Sequence, residues 1–269
     1  MNFLFHLAAM LLLISVYNAP LYAEETPKNN DNNHAEETLS MVSDVWCPYA
    51  CDSNIENKGL LVDIVTASYK ELNLDINYQT YSWVRAVDMV ESYEAEILLA
   101  AEHMHRNQLI LSEDFYINVE SVFVVRKSDN ITIEKPIDLF KGRLGRIAGY
   151  EYDFENIWEP YIQNNENSVA ITSSLGEDHL IKLLAHSRID IAIMNYQVAK
   201  LNIKNNPAYK DLEMIRANIL NPIFLGFNRS YRGETLKEQF LTGVKMLKKT
   251  GMLEALFDKY QIEFPKHMQ

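Results

Sequence analysis

From Leu39 to Tyr260 the apolar residues switch repeatedly between a two-residue and a near-four-residue period, in two successive blocks. This alternation limits the possible folds more than any other feature of the chain, because strands present alternate residues to a core and helices every third or fourth. In the first block "LSMVSDVW", "DINYQTY", "AEILLAA" and "VESVFVVRK" read as strands, and "LLVDIVTASYKEL" and "VRAVDMVESY" as helices. Leu61, Ile64, Val65, Ser68 and Leu72 make the apolar face of the first helix. In the second block "GRLGRIA", "SVAIT" and "IDIAIM" read as strands, and "YDFENIWEPYI" and "GEDHLIKLLAH" as helices. The strand "PIFLGFN" and the helices "LKEQFLTGVKMLKKTG" and "MLEALFDKY" follow. Two strand–helix blocks predict an α/β protein of two lobes. In open α/β sheets ligands bind beyond the strand ends, which puts the expected site between the lobes.

A chain of 269 residues, 48% of them hydrophobic, can build two lobes of ordinary size. Its formal charge of −12 gives it no general attraction for nucleic acid or anionic lipid. The N-terminus points to export. There is no Asp, Glu, Lys or Arg before Glu24, an apolar run spans Leu7 to Val16, and Ala23 stands just before the acids. Residues 1–23 read as a signal segment cleaved after Ala23, although a basic n-region is missing and Leu21 is large for its position. The apolar run is short for a membrane span. The polar stretch 24–38 reads as a disordered leader. Cys47 and Cys51 are the only cysteines. Outside the cytoplasm such a pair is usually bridged. A zinc site needs four ligands, and a redox pair is normally spaced by two residues rather than by three that include Pro48. A disulfide here contributes about 2 kcal/mol and holds a turn rigid beside Trp46 and Tyr49.

Several segments together resemble the bacterial extracellular solute-binding proteins, family 3. "WCPYAC…GLLVDIVTASYKELNLDINYQTYSWVRAVDMV" is similar to the family's opening, and "AAEHMHRNQLILSEDFY" to the segment in which an Arg precedes an aromatic turn. "DLFKGRLGRIAGYEYDFE", "LAHSRIDIAIMNYQVAKLNI" and "GMLEALFDKY" follow in the family's order. The resemblance implies a type II periplasmic binding fold, each lobe a mixed sheet flanked by helices. Lobe 1 would be 39–126 plus 222–269, lobe 2 would be 127–221, and two crossing segments would form the hinge.

The resemblance also implies roles for residues. Arg106 aligns with the Arg that grips a ligand carboxylate, a task suited to a planar guanidinium. His103 stands where the family usually has Ser or Thr. With His105 it makes an H-x-H pair that on a strand would share one face, yet no third metal ligand is evident. Asn195 stands where the family usually places the Asp that binds an α-ammonium. Either another acid substitutes, with Glu102, Glu151 and Asp153 as candidates, or the ligand lacks that group. Asp190 is expected to be structural. Trp46, Tyr49 and Trp83 read equally as cleft walls and as core. Arg85 meets a second acidic group or pairs within its lobe. Gly149, Tyr150 and Glu151 are expected to line the cleft at the first helix of the second lobe. "GRLGRIAG" crosses a strand rather than following one and is not a nucleotide loop.

Three classes of function are compatible with these residues. The leading one is an exported monomer that captures a small carboxylate-bearing solute, an amino acid or a relative, and delivers it to an ABC-type membrane transporter in the periplasm, without cofactor or metal. The same binding event could instead feed a membrane sensor. A dehydratase-like enzyme would need a positioned acid or base, for which Glu102, Glu151 and His103 are the candidates.

Overall fold

The computed structural model describes residues 37–268; the expected signal segment 1–23 and nearly all of the leader 24–38 lie outside the described residues. In chain order the strands are β1 (Glu37–Ser43), β2 (Leu74–Thr80), β3 (Ile97–Glu102), β4 (Ile110–Leu111), β5 (Ile117–Arg126), β6 (Leu144–Ile147), β7 (Ser168–Ile171), β8 (Ile191–Asn195) and β9 (Leu212–Phe227). The α-helices are α1 (Leu60–Lys70), α2 (Trp83–Glu91), α3 (Glu159–Gln163), α4 (Glu177–Ala185), α5 (Tyr196–Asn205), α6 (Tyr231–Lys249) and α7 (Met252–Lys259). Strand β1 therefore starts two residues inside the segment read as leader.

All strands belong to one sheet of order β2-β1-β3-β9-β5-β8-β6-β7, with β4 also on β9. Parallel pairs β1–β2 and β1–β3 lie toward one end, and parallel pairs β6–β7 and β6–β8 toward the other. Two long antiparallel strands, β5 and β9, join the ends. The C-terminal part of β9 pairs with β3 and β4, whereas the C-terminal part of β5 pairs with β8. The β5–β9 ladder breaks register between Ser121 and Val122, opposite Asn218 at φ 53. Two residues of β9, Ala217 and Asn218, lie between the paired positions Arg216 and Ile219, and extra residues on one strand bend it and increase its twist.

The periodicity in the sequence explains most elements. Helix α1 buries Leu60, Leu61, Val62, Ile64, Val65 and Tyr69, and the Tyr69 hydroxyl donates to the Leu236 carbonyl on α6 at 2.8 Å. Strand β5 carries Val122 to Val125, all fully buried, because both its faces are covered. Four elements differ from expectation, the short strand β4 being one that the sequence pattern does not predict. Helix α3 occupies only the last part of "YDFENIWEPYI", because the Asp153 carboxylate instead accepts the N–H groups of Glu155, Ile157 and Trp158 and holds a loop. The first half of β9 and all of α5 were not predicted.

Candidate functional site

A small, partly enclosed cavity lies against the β5–β9 ribbon. Trp46, Trp83, Ala100 and Glu102 reach it from one side, Tyr150, Glu151, Tyr152, Glu177 and Asn195 from the other, and Val119, Ser121, Asn221 and Ile223 from the ribbon. It has about 20 Å³ for water centres, enough for one or two waters, so an amino-acid-sized molecule enters only as the walls move apart. Hydrogen bonds close it. Tyr150 donates to Asp44 Oδ2 at 2.8 Å, the Trp83 indole donates to the Gly149 carbonyl at 3.0 Å, and the Glu151 N–H donates to Glu102 at 3.1 Å.

The turn that carries Trp46 is held covalently by the Cys47–Cys51 disulfide. Trp46 stacks on Tyr49 with centroids 4.6 Å apart. Gly59 closes this turn at φ +110, and a Cβ there would meet the Tyr49 carbonyl oxygen at 2.5 Å. On the opposite wall Gly176 sits at φ +50, where a Cβ would fall 2.3 Å from the Val45 carbonyl oxygen. Only glycine permits that approach, and it sets the next residue, Glu177, into the cavity.

Acids dominate the electrostatics. Glu177 is 1% exposed, and both its carboxylate oxygens accept from the Asn195 N–H at 2.9 Å. Burial, with Asp44 nearby, pushes its pKa up to about 8. Asp44, also 1% exposed, is raised to about 7 by burial, partly offset by the Tyr150 hydroxyl. Glu102 accepts N–H groups from His105 and Glu151, yet burial and then the neighbouring Glu151, Glu159 and Asp44 hold it well above the usual carboxylate range. Glu151 is raised as well, first by burial. No Lys, Arg or His lines the cavity. Two polar atoms of its lining residues are buried without a protein partner, Asn221 Oδ1 and Trp46 Nε1. The Trp46 N–H comes near enough to Glu177 to lower its pKa but makes no hydrogen bond of normal geometry.

The residues anticipated from the sequence divide into two groups. Trp46, Trp83, Glu102, Tyr150, Glu151 and Asn195 come together at the cavity. Tyr49 backs Trp46, and Gly149 contributes its carbonyl to Trp83. Asn195 faces the cavity but is already engaged. Its Oδ1 caps α5 by accepting from the Gln197 and Val198 N–H groups. Tyr150 and Glu151 stand in a loop rather than at a helix start, because α3 begins later.

Arg106, His103 and Arg85 lie elsewhere. Arg106 is 48% exposed, paired with Glu113 at 2.8 Å and with the His103 ring at 2.7 Å. It lies in an outer groove with Leu220, Pro222 and Phe224, whereas the cavity takes the alternate β9 residues Asn221 and Ile223. Alternate strand residues face opposite sides, so the ribbon separates Arg106 from the cavity. His103 and His105 stand on a 3₁₀ turn, not on a strand, and diverge. His105 packs edge-on against Trp83, and His103 against Phe154. Arg85 pairs with Asp88 at 2.6 Å and Glu94 at 2.5 Å on the surface. Asp190 is held by Arg126 and Arg143, a structural role. Among the described residues no three His, Cys, Asp or Glu form a group that could hold a metal ion. Sequence reasoning missed Asp44 and Glu177. An acid in the first turn of a helix is usually explained by the helix dipole, which hid Glu177.

Residues 40–263 match the family described as bacterial extracellular solute-binding proteins, family 3. No curated protein matches the sequence. Among solved structures, an ancestral arginine-binding protein bound to glutamine superposes with a TM-score of 0.72 at 17% identity, covering 86% of this chain and 100% of its own. ArtJ, the arginine-, lysine-, histidine-binding protein of Geobacillus stearothermophilus, gives 0.72 at 18% identity, covering 86% and 97%. The substrate-binding protein AbpA of an amino acid ABC transporter from Streptococcus pneumoniae, bound to L-arginine, gives 0.68 at 21% identity, covering 86% and 98%. At these identities the likeness is one of fold.

Proposed function

The chain belongs to the bacterial extracellular solute-binding proteins, family 3, and from that premise we propose that it captures a small solute between two lobes and presents it to an ABC-type transporter. The observation that carries this reading is the cavity itself, whose lining is drawn from residues 46–121 and Ile223 on one hand and from residues 150–195 and Asn221 on the other. The lobes are 39–126 plus 222–269 and 127–221, and β5 and β9 pass between them. The register break at Ser121 and Asn218 supplies a place where two strands can flex without losing their ladder. Opening about this point widens the cavity, and closing remakes the hydrogen bonds that Tyr150 and Glu151 donate to Asp44 and Glu102 and that Trp83 donates to Gly149. The protein works outside the cytoplasm, in the periplasm, as a monomer that binds without turning its solute over. Solute classes bound by the structural relatives, amino acids among them, are the starting set.

The test is a thermal-shift panel on the purified protein with L-amino acids, their deaminated acids and their decarboxylated amines. Ligand binding to the native state raises Tm by mass action. A concentration-dependent rise with one class supports the reading. A folded protein whose Tm no member moves contradicts it.

A further inference from the structure

We propose that the cavity takes an organic cation without a carboxylate, a primary amine or guanidinium on a flat or apolar body, held by Glu177 and Glu102 between Trp46 and Trp83. This deepens the solute-binding reading and rests on it. The first support is the charge of the lining. Glu102, Glu151 and Glu177 face the cavity and Asp44 stands directly behind Tyr150, while no basic side chain lines it. Buried carboxylates without a cation are costly and hold their protons. A ligand cation supplies the missing partner. A ligand carboxylate there would meet four acids and no positive group.

The second support is independent of the acids. Asn221 is 3% exposed, its Nδ2 is committed to the Glu151 carbonyl at 2.8 Å, and its Oδ1 has no protein partner. The atom left over on the ribbon wall is an acceptor, which suits an N–H donor. The third support is the walls. Trp46, Trp83, Tyr150 and Tyr152 surround the acids, and aromatic faces attract organic cations. Finally, the cationic candidate for a carboxylate clamp, Arg106, lies beyond the ribbon and is already paired with Glu113. Asn195 caps a helix with its side chain, and its N–H is held by the Glu177 carboxylate, which leaves the carboxylates as the charged groups on that wall.

The groups facing Glu177 are Asp44, Asp178, Trp46, Asn195, Tyr49, Tyr150 and Tyr152, and those facing Glu102 are Glu151, Glu159, Asp44, Tyr152 and His105. Only His105 among them can be cationic, and burial lowers its pKa. A cation must therefore displace protons from the acids, and its affinity rises from pH 6 to pH 8. An anion needs those protons and shows the opposite trend.

Isothermal titration calorimetry with matched pairs tests this: histamine against histidine, agmatine against arginine, tyramine against tyrosine, each at pH 6 and pH 8. The expected result is that at least one amine binds tenfold or more tighter than its parent amino acid, tightens with pH, weakens tenfold or more in Glu177→Gln, and is unchanged in Arg106→Ala. Circular dichroism of Glu177→Gln verifies its fold, and Glu102→Gln serves if it fails. An amino acid that binds tighter than its amine and is lost in Arg106→Ala overturns the cation assignment while leaving solute capture intact. Binding by none of the pairs, in a folded protein that another solute class stabilises, also overturns the assignment alone. If no class stabilises it, both readings fall.

Discussion

Asp44, Glu102 and Glu177 share one physical problem, in that each is a carboxyl group removed from water without a cation beside it. Each has a folded-state pKa above its unfolded value, about 7 and 8 for Asp44 and Glu177 against 3.8 and 4.5. Between those limits the folded chain binds more protons than the unfolded one, so stability falls as pH rises. Asp138 and Asp190 act the other way. The Glu134 N–H and Lys141 lower Asp138 to about 2, and Arg143 and Arg126 depress Asp190, so their contribution is lost only in strong acid. The unliganded protein is thus expected to melt several degrees higher at pH 5.5 than at pH 8.5, by roughly 2–4 °C per kcal/mol. Glu177→Gln should narrow that gap, and differential scanning calorimetry across pH measures both. A melting temperature that is flat or rises with pH would contradict the assignment. Asn195 separates two roles. Its loss to Ala is expected to cost about 1 kcal/mol, the usual value of a helix N-cap, and urea unfolding measures it. These roles were only partly legible. Glu102 was found because it precedes a motif, but Glu177 looked like an ordinary first-turn acid. The direction of the Arg106 side chain was decided by Glu113 and His103, which a one-dimensional motif does not encode.

Two turns decide whether the cavity keeps its shape. The disulfide turn aims Trp46, and the glycine turn before α4 aims Glu177. Replacing Cys47 and Cys51 by Ser is expected to cost about 2 kcal/mol and to weaken ligand binding, because Trp46 loses its fixed backbone; unchanged affinity in a calorimetric titration would show that the turn is held by packing alone. Gly176→Ala combines a left-handed φ with a contact of 2.3 Å to the Val45 carbonyl, and is expected to destabilise by roughly 1–3 kcal/mol. Denaturant unfolding measures it. Most elements could be read from the sequence because their apolar periods are clean, as in α1 and β5. The first half of β9 was hidden by Arg216 and by Asn218 at the register break, which interrupt the alternation. Helix α5 was hidden because it buries only Val198 and Ala199. The loop at 150–158 mimics a helix in its apolar spacing, but Asp153 satisfies its backbone differently.

At the scale of the molecule, one sheet runs through two long strands, and the cavity sits where those strands break register. The chain's net charge of −12 draws a cation toward the protein before it arrives. The outer groove around Arg106 is a different place, where Arg106 stands with Glu113 and Glu155. Arg106→Ala removes an exposed ion pair, is expected to change stability by less than about 1 kcal/mol, and should leave the cavity's affinity alone. On the reading proposed above, this cavity rather than the Arg106 groove receives the solute, by the solute's positive charge. The most direct test is a crystal structure of the protein with the tightest-binding amine of the panel. The expected result is a ligand nitrogen within hydrogen-bond distance of Glu177 and Glu102, donating also to Asn221 Oδ1, with the ligand body between Trp46 and Trp83. A ligand bound with an anionic group on Arg106, and the buried acids untouched, would contradict it.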